Sequence, residues 1–560
     1  PGSAAGGGQA FGAGAFGTGG GQATAAGAGA SGAGGFRPVL PPAFREKELA
    51  CLPDLARTGE VPLGDVFVHG SGECDQLGLG DAQRERKKPT LVRGLVGCQI
   101  CELAVGALHV VCVSVDGRLY SWGCSDDGAL GRPADGSTDC EPHPVALPAG
   151  TAARSVSCGD CHSCALDSLG RVWLWGTYKD SNGHIGIARK RKQGPVLDRS
   201  ADPAVVLEGC AQIASGANHT LARAASAAGR VFAWGSNSTG QLGLESGAGC
   251  GLGERVLELP AASSPSAPVR AHEGGGAEVD GLRIIRIREA SGAERSAAAM
   301  SPAQVEQALG RGALALILEL PEREVPKAEK QDLLFPQELS LGGLGAAVTG
   351  VFAGAECSFV TLAEGPAHGC GLNGDGQVGL GFASMAVKTL RPLPRVSGAS
   401  WLGGGTHFSA ALVAGAVLAW GRADECGQGM AAGTAPVLEP RAVPGLPKVR
   451  ALRCGGHHAL ACSEAGDVFA WGCGLTHQLA NRPRDSASPG DAGEEPGDEL
   501  APYRVSSRQL EGRYVLLADG GAQHSVELAW AGGYGELPPA VPAAKAAGAT
   551  AAPEAAASAA

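Results

Sequence analysis

The sequence predicts an all-β fold, a seven-bladed β-propeller of about 50-residue repeats, on three observations. A two-part motif recurs along the chain, its first and last copies are incomplete in complementary ways, and glycine reaches 90 of 560 residues while aromatics stay at 4%. The clearest copy runs from Gly159-Asp160-Cys161-His162-Ser163 to Gly170-Arg171-Val172-Trp173-Leu174-Trp175-Gly176. It reads as loop, strand, tight turn, strand and glycine corner. Near copies begin at Gly216 and Gly455. Self-similarity at this period is the mark of a propeller or solenoid, in which one repeat cannot bury its apolar face alone.

The corner half occurs at Gly70-Ser71-Gly72-Glu73-Cys74-Asp75-Gln76-Leu77-Gly78. It returns after Trp122-Gly123, Trp175-Gly176, Trp234-Gly235, Cys370-Gly371, Trp420-Gly421 and Trp471-Gly472, seven in all. The loop half starts at Gly106, Gly159, Gly216, Gly354, Gly405, Gly455 and Gly521, again seven. The first corner has no loop half before it and the last loop half has no corner after it. Blade 1 is therefore expected to join both chain ends, with Val526 paired in the Val66 blade, which removes the sheet edges. Val172 and Leu174, like Val231 and Ala233, alternate at the period of a half-buried strand. One tryptophan in each of five blades is expected to fill the wedge between neighbours. The loop histidines His109, His162, His219, His458 and His524 are expected to hydrogen-bond the backbone of their own blade, since buried polar groups need partners.

Residues 1–44 read as a low-complexity Gly/Ala-rich disordered segment, without a charge before Arg37. The propeller is expected over 45–530. An insertion at 247–344, between blades 4 and 5, is expected to lie outside the ring. Within it Leu282 to Ile287 alternates like a strand, and Ser301-Pro302 opens a helix. An acidic loop from Pro483 to Glu499 interrupts the last blade, and 531–560 is an Ala/Pro-rich tail.

A formal net charge of −11 argues against a chain that binds nucleic acid by bulk electrostatics. The 18 cysteines fall at no framework spacing and read as reduced thiols. Cys158-x-x-Cys161-x-x-Cys164 has metal-ligand spacing, yet Ser215, Asn218 and Leu221 fill the same repeat positions in the next blade. No metal, no cofactor and no membrane span are expected. The basic runs Arg84, Arg86, Lys87, Lys88 and Arg189-Lys190-Arg191-Lys192 are solvated loops or contacts for an acidic partner or DNA phosphate. No convergent acid, base and nucleophile set points to a hydrolytic enzyme.

Three stretches go beyond the generic repeat: Glu85-Arg86-Lys87-Lys88-Pro89-Thr90-Leu91-Val92, Gly123-Cys124-Ser125-Asp126-Asp127-Gly128-Ala129-Leu130-Gly131-Arg132, and Gly176-Thr177-Tyr178-Lys179-Asp180-Ser181-Asn182-Gly183-His184-Ile185-Gly186. With seven repeats they make the chain resemble the regulator of chromosome condensation family, guanine-nucleotide exchange factors for the nuclear GTPase Ran. The resemblance implies a nuclear exchange factor with Ran as partner, chromatin (histones, DNA) as a further partner through basic loops, a monomeric state and no covalent chemistry. The alternative is a non-catalytic propeller scaffold for protein–protein interaction. It further implies that the excursion carrying Tyr178, Lys179, Asp180, Ser181, Asn182 and Gly183 is a β-wedge pressed on the GTPase. Asp160 matches the family's loop aspartate, Asn218 stands where a second aspartate is usual, and the family's blade-6 histidine aligns with Phe408, one residue after His407. Asp160, Asn218, His407 and Phe408 are thus the expected exchange-site positions, and Glu73 an acidic contact for the GTPase. The uncharged N-terminus does not support attachment to chromatin by a basic tail.

Overall fold

A computed structural model describes residues 64–530, apart from 134–137, 189–195, 227–228, 482–496 and several stretches between 245 and 345, together with 60–61 and 541–542. The low-complexity N-terminus, the Arg189–Lys192 run, most of the acidic loop and nearly all of the C-terminal tail lie outside the described residues.

The repeat folds as seven four-stranded antiparallel sheets. Sheets 2 to 7 start with Ile100–Val105, Ala153–Cys158, Cys210–Ser215, Val348–Ala353, Ala399–Gly404 and Val449–Cys454. Sheet 1 combines the two ends of the chain, in the order Tyr514–Gly520, His524–Trp530, Asp65–Ser71, Glu85–Leu91. Val526 pairs with Val68, and Val66 with Leu528. The seam between the chain ends carries a buried hydrogen bond, His69 Nε2 to Glu527 Oε1 at 2.8 Å. The first strand of each sheet touches the first strand of the next, from sheet 1 through sheet 7 and back to sheet 1.

The loop halves bind these inner strands into one circuit. The backbone N–H of Asp160 donates to Ala217 O at 2.8 Å, Ala217 to Ala355 O at 2.8 Å, Thr406 to Gly456 O at 2.8 Å, and Ala522 to Ala107 O at 3.0 Å. Matching bonds from Ala107, Ala355 and Gly456 complete it. Glycine is required where loops meet: a Cβ on Gly159 would stand 2.5 Å from Gly216 O and 2.1 Å from the His162 ring.

Side chains repeat the same logic. The tryptophans at 122, 175, 234, 420 and 471 are all fully buried. Trp122, Trp175 and Trp420 donate Nε1 to corner carbonyls of the preceding sheet, those of Gln76, Ala129 and Gln377, at 3.1, 2.7 and 2.8 Å. Gly78, at φ 64°, lies flat on the indole of Trp122, where a Cβ would come within 2.6 Å of Nε1. Four of the five loop histidines, however, reach across to the next sheet, and buried His524 has no hydrogen-bond partner among the described residues. His109, His162, His219 and His458 pair Nε2 with Ser163, Thr220, Ser358 and Ser525 of the next sheet, at 2.8, 3.0, 2.9 and 2.8 Å. They staple neighbouring sheets, a role visible only once the sheets are placed side by side.

Residues 254–319 form a separate six-stranded sheet with a helix, Pro302–Leu309. Its core is its own, built from residues such as Val279, Ile284, Ile287, Val305 and Leu316. Leu282–Arg288 is a strand, and Ser301 and Gln304 cap the helix reciprocally. The expected insertion reaches 344, but its last part belongs to the repeat. Gln337–Glu338 is the fourth strand of sheet 4, and Leu333, Leu334 and Phe335 pack in the cores around it. No helix among the described residues is long and apolar enough to cross a membrane.

Candidate functional site

The loop after each first strand and the corner after each third strand lie at the same end of the sheets, because the second strand runs antiparallel to both; Gly176, at the corner, pairs with His162, beside the loop. At this end the loops surround a cavity of about 310 Å³. Asp160, Glu356 and His457 line it, with backbone from all seven loops.

The corner of sheet 3 is extended into a hairpin, Tyr178–Asp180 against Gly183–Ala188, before the fourth strand Ser200–Leu207. The tip is exposed from Ser181 to His184. Asp180 Oδ1 accepts the Asn182 N–H at 2.8 Å and Gly183 sits at φ 105°, the local chemistry of a tight turn. The root is buried. Tyr178 is fully enclosed, with its hydroxyl 2.9 Å from Thr220 Oγ1, the same hydroxyl that meets His162. Tyr178 therefore anchors the hairpin and does not face a partner.

Two neighbouring sheets grip the hairpin base. From the corner of sheet 2, Asp127 accepts from Lys179 Nζ at 2.6 Å and from His184 Nε2 at 2.7 Å. Lys179 and His184 are directly opposite each other in the hairpin. Burial pushes Asp127 up, but donors from Lys179, Cys161 and His184 together bring its carboxyl below the usual range. Burial likewise opposes the charge of Lys179, and Asp127 and Cys161 together outweigh it, raising that pKa. From the loop of sheet 4, Asn218 Oδ1 accepts the Lys179 N–H at 2.8 Å, while its amide nitrogen lies 3.5 Å from Asp160 Oδ2.

Asp160 keeps an exposed carboxylate at the cavity mouth, yet the wall of loops raises its pKa, against the lowering effects of Lys179 and Asn218. Glu356 occupies the sheet 5 position equivalent to Asn218. Its Oε2 accepts from Thr239 at 3.1 Å and Gln241 at 2.8 Å. Burial first, and the Asp160 charge besides, push Glu356 up to about 7. His407 pairs Nδ1 with Asp375 at 3.0 Å, and its ring stacks 5.7 Å from that of His457, which pairs with Glu425 at 3.0 Å. Phe408 is withdrawn from the site: it is fully buried in the sheet 6 core and fills the position held by a buried histidine in five other sheets and by Cys357 in sheet 5. Counting from Gly405 fixes that register, so half-buried His407 is the residue that faces the site. Glu73 is exposed at the sheet 1 corner, where its carbonyl accepts from Arg84 at 3.1 Å.

The structure thus brings Asp160, Asn218 and Lys179 into one network and His407 into a second. Asp127, His184, Glu356 and His457 join them without having been singled out from sequence. For Glu356 and His457 the signal was available: each directly precedes its sheet's second strand, as Asn218 and His407 do. Cys158, Cys161 and Cys164 are free, burial raises all three thiols, and Cys161 reaches about 12. No group of three or more metal-ligating side chains is positioned to hold an ion among the described residues.

A corner drawn out into a hairpin beside a ring of polar loops marks a propeller-type protein with one elaborated end of its strands. The RCC1-like domain model matches residues 65–527, and the chain belongs to that family. It is 30% identical over 483 residues to the regulator of chromosome condensation of Mus musculus, covering 84% of this chain and 92% of the mouse protein. It is 22% identical over 496 residues to the guanine nucleotide exchange factor SRM1 of Saccharomyces cerevisiae, covering 82% and 86%. The crystal structure of Prp20p from Saccharomyces cerevisiae, studied for its binding to Gsp1p and histones, superposes with a TM-score of 0.62 at 21% identity, covering 85% of this chain and 93% of that one.

Proposed function

We propose that this chain is a guanine-nucleotide exchange factor for a Ran-type small GTPase, built on a closed seven-bladed propeller and acting in the nucleus as a monomer. The observation that carries the reading is the hairpin at 178–188, exposed at its tip and clamped at its base beside Asp160. An exchange factor needs no nucleophile and no bound cofactor. It binds the nucleotide-free GTPase more tightly than the loaded one, and linkage then weakens nucleotide by the same factor. A protruding, rigid hairpin can enter a phosphate-binding site only when nucleotide has loosened, which supplies that difference. Asp160, Glu356 and the acids behind His407 and His457 suit a basic partner surface. The name of the yeast relative SRM1 supports exchange activity, the name of the mouse relative supports a chromosome-linked role, and the yeast structure's subject supports Gsp1p-like and histone partners. Arg84, Arg86 and Lys87, on the outer strand of sheet 1 and the corner before it, are basic groups among the described residues that suit chromatin.

A scaffold without exchange activity is the second reading. Asn218 favours it, since its amide is taken up by Lys179 and Asp160 and brings no charge to a partner. Release of labelled GDP from purified Ran decides between them. Wild type should accelerate release. Replacing Lys179 to Asn182 by a Gly/Ser turn, with Tyr178 retained, should cost about 1–3 kcal/mol of stability, because Asp127 loses one of its donors, and should leave the sheets folded. Exchange should collapse, because a partner that binds both GTPase states equally shifts nothing. Asp160→Ala should cost about 1–3 kcal/mol in kcat/KM, the cost of leaving a desolvated charged contact unpaired. Wild-type rates in a folded hairpin variant would leave the scaffold reading standing.

A further inference from the structure

We propose that Asp127 is a positioning residue for exchange: it sets the angle of the hairpin from the neighbouring sheet and ties it to the Asp160 loop. This rests on the exchange-factor reading above. Asp127 belongs to sheet 2, whereas the hairpin springs from sheet 3, so the carboxylate braces the hairpin from outside its own sheet. One oxygen takes Lys179 on the outgoing strand and the other takes His184 on the returning strand, at 2.6 and 2.7 Å. Lys179 and His184 form a cross-strand pair. A two-residue hairpin tip can pivot about its buried root; gripping both members of one rung removes that pivot. A third donor, Cys161, reaches Asp127 from the loop that carries Asp160. On the far side Asn218 holds the Lys179 N–H and also reaches Asp160. Hairpin and acidic loop are therefore one braced unit.

The side chain of Asp127 is 15% exposed, so its grip is shielded from water and salt. It lies behind the hairpin, and its oxygens are taken by Lys179 and His184, so its expected role is to hold the hairpin and not to touch the GTPase. A group that acts through the hairpin should matter to the step the hairpin performs and not to initial docking.

The test is GDP release from Ran under steady state with four proteins: wild type, Asp127→Asn, the Gly/Ser-turn variant, and the two changes combined. Asp127→Asn should lower kcat by roughly 10- to 100-fold with KM within about 3-fold, the pattern of a lost transition-state interaction. In the Gly/Ser-turn background the same substitution should change nothing, within about 2-fold, because coupled changes on one element do not add. Asp127→Glu should restore most of the rate, and His184→Gln should reproduce part of the loss. Should Asp127→Asn fail to fold, His184→Gln, on the exposed hairpin, carries the test through the same non-additivity. Wild-type kcat in Asp127→Asn, or a loss that multiplies in the Gly/Ser-turn background, overturns the proposal while leaving exchange activity intact. A wild-type protein that does not accelerate release at all overturns the exchange-factor reading and this role with it.

Discussion

Asn218 shows how a single residue can change meaning between sequence and structure. In the sequence it is a neutral residue where the family usually carries an aspartate. In the structure its two amide atoms face two ways, accepting from Lys179 and reaching Asp160. Asn218→Asp would keep the first bond and set a second carboxylate beside Asp160, whose pKa burial already raises. A like charge raises a carboxyl pKa further. The acid limb of the exchange pH profile should therefore move to higher pH in Asn218→Asp, measured as GDP release between pH 5 and 8, and an unmoved profile would separate Asp160 from the rate. Other residues were less legible. Tyr178 lies within a polar, turn-forming stretch, and nothing in its neighbours' chemistry says that its ring points inward. Phe408 was misplaced because family alignment slid by one residue, whereas the spacing from Gly405 would have fixed it.

At the scale of elements, strands and corners were readable because they repeat: an error in one copy is exposed by six others. The pairing of Asp65–Ser71 with His524–Trp530 was indicated by the unmatched half-repeats. The hairpin at 178–188 was readable as an excess of polar residues over the short corner at Ser236. The segment 254–319 occurs once, so its strand order could not be inferred by comparison, and the return to sheet 4 at Gln337–Glu338 is too short to carry a pattern. That return revises what can be removed. Deleting 254–319, and leaving Asp332 to Leu341 in place, should preserve cooperative unfolding. Changing loop length costs only about 0.6 kcal/mol per doubling. Extending the cut through Leu333, Leu334 and Phe335 should cost several kcal/mol, since each large buried apolar side chain is worth about 2–5 kcal/mol. Equal urea midpoints for the two deletions would refute the assignment of 333–338 to sheet 4.

Across the whole molecule, the buried loop histidines make stability depend on pH. Burial lowers His109 and His219 to about 4 and His458 and His524 to about 3, and depresses His162 well below its usual value. A depressed histidine binds fewer protons folded than unfolded. Its contribution is therefore complete above the unfolded value near 6.5 and is lost as pH falls toward 4. Glu356, Asp519 and Asp160 oppose this: burial raises all three, Glu356 to about 7 and Asp519 to about 6, so they favour the folded state as they take up protons. With His368 and His477 also depressed and Asp75 and Glu208 also raised, seven such histidines outnumber five such carboxyls among the described residues, and each net proton changes stability by about 1.4 kcal/mol per pH unit. The urea midpoint should be level above pH 7 and fall between pH 6.5 and 4.5. A midpoint that is constant or rises over that interval would mean that the histidines are not held neutral.

Sheet 1 also sets a timetable. Its outer strands leave the ribosome first, yet the strand that pairs with Asp65–Ser71 is made only when His524–Trp530 emerges. At roughly 5–20 residues per second that delay is on the order of tens of seconds to a minute. Throughout it the nascent chain carries an unpaired β edge, the kind of surface that recruits other chains. The loop circuit, which needs Ala522 to reach Ala107, cannot be sealed earlier either. A ribosome that stops short of residue 530 therefore releases an open arc with two sticky ends. For this protein the strand that ends at Trp530 is what covers the exposed edge of Asp65–Ser71.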